Sequence, residues 1–448
     1  MNKMFFAVLL ASLSSLRVYA QETKLDPLPK RNMSTELLTD MIDTSTAMGK
    51  RMLSVATKFG NISFSGYIQP QYQWIQEKGA TSYNGGDFAP NSNSRFRMRR
   101  GRIRMDYTGY TATGKPMTYF VVQFDGTERG MNVRDCWGRF YENKLELFHF
   151  SAGIMARPFG FELLYSSVNR ETPERGRMSQ ILMNTERDLG AMISFAPRKK
   201  ESKFKWLGLD VGLYNGQGLT GTQDFDSYKD LIAKLSFRKI GIPGTKMLFS
   251  AGLSYLHGGL ASQSNTYYHY ANDYMQLDSA ASVNGKIMPR RYYGADAQLQ
   301  IPNKKGVTEF RAEYIMGQQT STLSSSVTPG VYPTTPVGTP GPLTLRDFNG
   351  AYFYFLQHLG SAKHQAVLKY DWYDPNTKVA GTDIGTKKNV TAADIRYNTF
   401  GAGYVYYVSP NFKMTFWYEH PMNEKTALAG WDKDLKDDNF TCRAQFSF

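Results

Sequence analysis

The chain ends in Asp438–Phe448, DNFTCRAQFSF, in which apolar or small side chains alternate with polar ones. In an extended strand the first set shares one face: Phe440, Cys442, Ala444, Phe446 and Phe448. The polar set shares the other face: Thr441, Arg443, Gln445 and Ser447. An apolar outer face, a polar inner face and a terminal aromatic residue are typical of the strand that closes a transmembrane β-barrel.

The same two-residue period begins after Asn61, where apolar side chains from Ile62 to Trp74 alternate with Ser, Tyr and Gln. The pattern then repeats in pairs of segments, with short turns alternating with long connections. The long loops are expected near residues 76–94, 157–186, 216–228, 258–289, 319–346, 374–396 and 422–437. We therefore predict an all-β fold, a transmembrane antiparallel β-barrel of about 16 strands, over residues 61–448.

The composition agrees with a barrel rather than with a conventional globular core. The chain of 448 residues has a mean hydropathy of −0.44 and 14% aromatic residues. Barrels have this composition because half of each strand faces water and aromatic residues line both membrane interfaces. No stretch after Gln21 offers the ~18 uninterrupted apolar residues of a transmembrane helix. The two cysteines, Cys136 and Cys442, are too few for a disulfide scaffold in an exported chain.

The first 60 residues differ from the rest. Residues 1–20 are predicted to be a secretory signal peptide, with Lys3, the apolar run Phe5–Leu10 and the cleavage pattern Val18–Ala20. Residues 21–60 are predicted to be a partly helical periplasmic leader. Either this leader packs near the lower rim of the barrel, or it is an oligomerising or peptidoglycan-contacting helix.

The basic surplus lies on strands. The formal net charge is +14, and removal of Lys3 and Arg17 with the signal would leave +12. A surplus of this kind often indicates binding to nucleic acid or anionic lipid. Here the arginines follow strand faces rather than a helix, so we predict no nucleic-acid partner.

The densest basic cluster is Arg95–Tyr107, RFRMRRGRIRMDY. Alternation places Arg100, Arg102 and Arg104 toward the lumen, ~7 Å apart along the strand. Arg99 shares its phase with the apolar face, so it either lies above the membrane or is turned inward by a β-bulge. A row of arginines in a wet pore would favour anions. The alternative is that acidic neighbours such as Asp106 and Asp125 neutralise these arginines.

A second basic cluster lies in the loop at residues 157–186 and just beyond it. A loop of ~30 residues is too long for a simple connection, so we predict that it folds into the barrel and presents arginines to the pore. Solvated surface charge is the alternative. The arginines concerned are Arg157, Arg170, Arg175, Arg177 and Arg187.

Signals of an enzyme are weak in this sequence. Gly216–Gly221, GQGLTG, matches a dinucleotide-binding pattern, but acidic loop residues follow it rather than a helix. The histidines show no metal-binding spacing; His257 and His269 share a predicted loop and are expected to be solvated. We predict no cofactor, no metal and no catalytic residues.

With these features together, the chain resembles the phosphate-selective porin O and P family over residues ~60 to 448. The stretches that carry the resemblance are 96–102 (FRMRRGR), 122–125 (VQFD), 133–137 (VRDCW), 157–162 (RPFGFE), 172–175 (TPER), 213–218 (LYNGQG) and 230–238 (DLIAKLSFR). The resemblance implies a trimeric outer-membrane porin of a Gram-negative bacterium, with an inward third loop and basic lumen residues. By the same resemblance, Arg99, Arg100 and Arg102 correspond to the basic cluster of strand two, and Arg157 to the start of the constriction loop.

The expected function is passive diffusion of small solutes across the outer membrane, favouring anions, with phosphate as a candidate. Two alternatives stay open. One is an outer-membrane barrel enzyme, a protease or phospholipase, using His257 or His269 at the rim. The other is a non-conducting structural or adhesin barrel.

Overall fold

The computed structural model describes residues 61–199, 201–220 and 224–448. The predicted signal peptide (1–20) and helical leader (21–60) lie outside these residues. Asn61–Phe448 forms one compact unit. None of the helices in the described ranges is long and apolar enough to cross a membrane.

Sixteen strands, each antiparallel to its neighbours, close into a barrel, which confirms the predicted fold class and strand number. The wall strands are β1 (Ile62–Ile75), β2 (Ser94–Tyr110), β3 (Pro116–Thr127), β4 (Gly130–Tyr141), β5 (Phe148–Ala156), β6 (Arg187–Phe195), β7 (Leu207–Tyr214), β8 (Asp230–Gly241), β9 (Leu248–Ala261), β12 (Ile287–Asn303), β13 (Gly306–Ser321), β14 (Leu343–His358), β15 (His364–Asp374), β16 (Tyr397–Ser409), β17 (Phe412–Asn423) and β18 (Asn439–Ser447).

Between β9 and β12 lies a hairpin outside the main wall order, formed by β10 (Thr266–Ala271) and β11 (Tyr274–Ser279). In the described part of the chain the helical segments are short: α1 (Arg177–Leu182), α2 (Asp383–Thr386) and three 3₁₀ turns. One of these turns, Gly218–Thr220, overlaps the dinucleotide-like motif. The context that a nucleotide site would need, a helix directly after the glycines, is therefore not seen in the described part of this loop.

The last strand closes the barrel against the first, with Tyr72 opposite Cys442 and Trp74 opposite Phe440. The polar face of β18 is buried inside and Phe446 is exposed outside. On β1 the glutamines at 69, 71 and 73 are likewise buried inside. The predicted two-residue alternation is therefore confirmed on both strands at the seam.

The long loops lie at one end of the barrel, together with the two-residue turn Glu128–Arg129 between β3 and β4, and shorter connections lie at the other end. This is the pattern of extracellular loops and periplasmic turns. Three of these loops, residues 322–342, 375–396 and 424–438, pack with the β10–β11 hairpin around one apolar cluster. Its members are Met275, Val379, Ile384, Val390, Ile395 and Tyr397, with Leu323, Leu428 and Trp431 against them. This loop cluster extends the structure beyond the barrel wall on the side of β13–β18.

A tight contact at the seam gives a stability prediction. A Cβ atom on Gly66 would lie 2.6 Å from the carbonyl oxygen of Arg102 and 2.6 Å from the ring of Phe448. We expect Gly66→Ala to destabilise the closed barrel by about 1–3 kcal/mol because either the backbone or the terminal ring must move. The check is the fraction of heat-modifiable, folded protein after refolding in detergent. Gly241→Ala is the control, because nothing lies within 4 Å of its Cβ position; equal folding of the two variants would contradict the prediction.

Candidate functional site

A β-bulge on β2 determines where its arginines point. Ile68 pairs with Gly101 but Pro70 pairs with Met98, so β2 has one extra residue between these pairs. Such a bulge changes the phase of the side chains. As a result both Arg99 and Arg100 contact the same carboxylate, that of Glu174. Of the two arrangements considered for Arg99, the structure therefore has the inward-turning bulge.

A second bulge occurs on β4. Gln123 pairs with Asp135 and Phe124 with Val133, which leaves Arg134 as the extra residue. Its guanidinium contacts Glu186 and lies 3.5 Å from Asp125. Two irregularities, on the strands that flank β3, thus bring additional arginines into the lumen.

The third loop, residues 157–186, lies inside the barrel, because its groups bond to inward side chains of distant strands. The hydroxyl groups of Ser167 and Tyr67 on β1 are 2.6 Å apart. Tyr354 on β14 donates to Glu162 at 2.8 Å. Lys413 on β17 donates to the carbonyl oxygen of residue 168 at 2.9 Å. The loop thus spans the lumen and fills the side bounded by β13–β18.

One carboxylate anchors this loop to the wall. Glu174 accepts from Arg99 at 2.8 Å, from Arg100 at 2.6 Å and from Arg443 on β18 at 2.9 Å. Burial by itself would raise the pKa of Glu174, but Arg100, Arg99 and Arg443 outweigh it and hold that pKa well below its ordinary value. Glu174 therefore stays ionised while almost completely buried.

A second carboxylate closes the end of the loop. Glu186 binds Arg175 at 2.6 Å and also contacts Arg134 and Arg187. Arg187 makes a further pair with Asp135 at 3.1 Å. Three arginines from the loop, β4 and β6 are therefore grouped around one glutamate.

Two of the predicted lumen arginines have acidic neighbours, as the alternative interpretation proposed. Arg102 donates to Asp125 at 2.8 Å and to the Ser167 hydroxyl at 2.6 Å. Arg104 binds Asp106 at 2.7 Å. These pairs compensate part of the positive charge on β2.

Arg157, Arg170 and Arg177 occupy three different environments. Arg157 is buried at the start of the third loop, and its guanidinium donates to the carbonyl oxygen of Thr185 at the loop's end. Arg170 is also buried; it donates to the carbonyl oxygen of Tyr165 at 3.3 Å, while its Nε and Nη1 have no hydrogen-bond partner among the described residues. Arg177 lies over two aromatic rings, those of Tyr83 and Tyr397, at 4.4 and 3.4 Å.

The free space in the lumen is bounded on one side by β2, β4 and β6. At the outer end it is bounded on the other side by Tyr373 on β15, Tyr397 on β16 and the outer loops. An outer cavity of about 1350 Å³ is lined by nine arginines and four carboxylates, a formal excess of five positive charges. The arginines are Arg97, Arg99, Arg100, Arg102, Arg129, Arg134, Arg175, Arg177 and Arg187; the carboxylates are Asp87, Asp125, Glu174 and Glu186.

An inner cavity of about 400 Å³ lies toward the end with the short turns. Its arginines are Arg102, Arg104, Arg134, Arg170 and Arg187. Four lining residues are common to both cavities: Arg102, Arg134, Glu186 and Arg187. The cavities therefore meet at this group, which we call the arginine constriction.

Sequence reasoning did not select several residues of this site. Arg134 was missed because the alternation of side chains in the sequence does not show where a β-bulge occurs. Glu174 and Glu186 were missed because a loop carboxylate acquires its partners only after the loop has folded inward. Arg443 was recognised as inward-facing, and only the structure shows that it anchors the third loop.

The cluster of outer loops contains an acid with an unusual environment. Asp437 is buried, and its Oδ1 has no hydrogen-bond partner within the described ranges. Burial raises its pKa to about 7; Arg177 opposes this shift, and Asp434 and Asp438 add to it. Folding of the loop therefore favours the protonated form of the Asp437 carboxyl, compared with the unfolded chain.

Comparison with solved structures identifies the architecture. OprB of Pseudomonas putida, in its high-pH structure, is 8% identical, with a TM-score of 0.57 over 90% of this chain and 96% of that chain. The anion-selective porin of Comamonas acidovorans is 11% identical, with a TM-score of 0.51 over 86% and 99%. The outer-membrane channel DcaP of Acinetobacter baumannii is 12% identical, with a TM-score of 0.51 over 86% and 97%.

The chain has the fold of outer-membrane porins. At sequence identities of 8–12%, the similarity to these structures concerns the fold alone. No protein-family model and no curated protein sequence matches the chain. The closed barrel, with its exposed apolar outer residues such as Phe64 and Phe446, belongs in the outer membrane of a Gram-negative bacterium.

The Glu174 anchor gives a testable prediction. We expect Glu174→Gln to weaken docking of the third loop by about 3 kcal/mol, because three guanidinium groups lose their shared counter-charge. The measurement is the rate of trypsin cleavage after Arg175 and Arg177 in detergent, which should rise at least tenfold. Glu128→Gln is the control: its pair with Arg97 is half-exposed and should contribute about 0.5 kcal/mol. Equal cleavage rates in both variants would show that Glu174 does not hold the loop.

The environment of Asp437 predicts a pH effect. The pKa of Asp437 is about 3.9 in the unfolded chain and about 7 in the folded loop. The protonated carboxyl therefore contributes fully to the stability of the folded loop below about pH 3.9, and this contribution is lost as the pH rises through about 7. Cleavage of loop 424–438 by trypsin, normalised to an unfolded peptide at each pH, should therefore accelerate between about pH 5 and pH 8. Asp437→Asn should remove this pH dependence. A pH dependence that persists in Asp437→Asn would assign it to another group.

Proposed function

We propose that the protein is an outer-membrane porin for passive diffusion of small solutes and that it favours anions. The observation that carries this proposal is the excess of arginine over carboxylate around the two connected cavities. A passage with such an excess lowers the barrier for anions and raises it for cations. Low-dielectric walls strengthen this field, because they focus it along the water-filled space.

The ion pairs do not remove this preference. Glu174 is shared by three arginines, so that cluster keeps a formal surplus of two positive charges. Among the three arginines around Glu186, Arg187 also pairs with Asp135, so that cluster keeps a surplus of one. The carboxylates also fix the guanidinium groups in position. A permeating anion would then meet preorganised donors and would not have to order flexible side chains itself.

Phosphate is the candidate solute within this proposal. Guanidinium groups bind phosphate oxygens in a bidentate manner. The resemblance to the phosphate-selective porin O and P family adds support, and so does the description of the Comamonas neighbour as anion-selective. Arg99, Arg100, Arg102, Arg104, Arg170, Arg175, Arg177 and Arg187 are the proposed pore-lining residues, with Arg157 holding the base of the loop.

We further propose a homotrimer in outer-membrane lipid, as the family resemblance implies, and transport without catalysis. The enzyme alternative would need a nucleophile beside His257 or His269. His257 lies 3.2 Å from the Tyr255 hydroxyl, and His269 lies 3.4 Å from Asp278. Among the described residues, no group of three or more His, Cys, Asp or Glu could hold a metal ion.

Planar-bilayer recording tests the proposed selectivity. In a potassium chloride gradient, the reversal potential should show preference for chloride, and phosphate should reduce the chloride current in a saturable manner. Arg134→Gln should reduce the preference, because Arg134 lines both cavities. Arg291→Gln removes an arginine from the exposed outer surface and should leave the reversal potential unchanged. Cation preference in the unmodified protein would refute the anion claim, and a closed barrel would favour the non-conducting alternative.

A further inference from the structure

The carboxylate of Glu186 occupies an unusual position for an anion-favouring pore. It is the last residue of the third loop and lines both cavities where they meet. Its side chain is largely buried, and its two oxygens are divided among three guanidinium groups. Oε1 accepts from Arg175, and Oε2 contacts Arg134 and Arg187.

These three arginines form the kind of site that an oxyanion needs. They come from the loop, from the bulge on β4 and from the start of β6, so their guanidinium groups converge from different directions. Two of their nitrogen atoms, Nη1 of Arg175 and Nε of Arg134, have no hydrogen-bond partner among the described residues. Both atoms are buried, so these donors face no solvent while Glu186 occupies the site.

On the basis of the proposed anion passage, we propose that Glu186 is a tethered competitor, which occupies the oxyanion site of the constriction when no permeating anion does. A carboxylate presents two oxygens to guanidinium groups, as a free carboxylate or phosphate does. Because it is attached to the loop, its effective concentration is high, and a free anion must displace it to bind.

This arrangement has a functional consequence. Three closely grouped arginines without an internal anion would retain oxyanions and slow their release. Conduction requires binding that is strong enough to attract the solute and weak enough to release it. Glu186 reduces the net affinity while it leaves the arginines in place, so it sets the specificity and the rate of passage.

Glu171 provides a matched control in the same loop. It also forms a bidentate pair with an arginine, Arg311, at 2.8 and 2.9 Å, and both side chains are buried. It lines neither the outer nor the inner cavity. Glu171→Gln thus makes the same chemical change to a buried loop carboxylate away from the constriction.

The experiment is inhibition of single-channel chloride current by inorganic phosphate in the full-length protein. In Glu186→Gln the half-inhibiting phosphate concentration should fall about tenfold, equivalent to about 1.4 kcal/mol. The reversal potential should also shift further toward chloride. Glu171→Gln should behave like the unmodified protein in both measurements.

The outcomes separate this inference from the proposed function. If the unmodified protein prefers cations, the proposed function fails, and the inference fails with it. If it prefers anions but Glu186→Gln does not tighten phosphate inhibition, only the role of Glu186 is refuted. If Glu186→Gln does not fold, Glu186→Asp is measured in its place. The shorter carboxylate reaches the arginines less well, so phosphate should inhibit the chloride current at a lower concentration than in the unmodified protein. An unchanged half-inhibiting concentration overturns the proposal.

Discussion

The sharing of buried carboxylates among several arginines is the interaction on which the interior of this barrel depends. Glu174 joins the third loop to β2 and β18, and Glu186 joins the end of the loop to β4 and β6. An unpaired charge in such a place would be costly, so each cluster is stable only when the loop lies inside the barrel. The same contacts leave positive charge in excess. Loop position and lumen charge are therefore consequences of one arrangement.

The loop divides the lumen into two parts with different roles. Toward β13–β18 it packs against polar side chains such as Tyr354 and Lys413, which hold it in place. Toward β2, β4 and β6 it leaves the outer and inner cavities open. The cluster of outer loops borders the outer cavity from the other side, through Ile395, Tyr397 and Trp431. Under the proposed function, solutes would therefore pass along the wall that carries the arginines.

The sequence was sufficient to predict the barrel because its side chains alternate between two environments, lipid outside the barrel and water inside it. Phe446 and Arg443 fall on opposite faces of β18 as expected, and about sixteen strands follow from the number of such segments. The predicted loop at 258–289 was only partly right, since β9 continues to Ala261 and the β10–β11 hairpin occupies the connection. The alternating residues of this connection form two strands, which the pattern of short turns and long loops did not predict.

The details of the site were less predictable for a physical reason. Arg99 and Arg134 point inward because of bulges, and a bulge inserts one residue without a distinctive sequence signal. Glu174 lies 74 positions from Arg100, so only the folded loop brings them together. Local periodicity therefore determines which face of a regular strand is wet, whereas charge partners across the lumen depend on the tertiary structure.

Thiol labelling in the open channel shows on which side of the third loop a solute passes. Single cysteines at Asn132, which lines the outer cavity, and at Thr415, which is buried on the packed side, would be placed in a Cys136→Ser, Cys442→Ser background. A negatively charged methanethiosulfonate added from the loop side should abolish most of the current through Asn132→Cys and leave Thr415→Cys unaffected. Block at Thr415→Cys without block at Asn132→Cys would show that ions pass on the opposite side of the third loop, and the proposed path would be wrong.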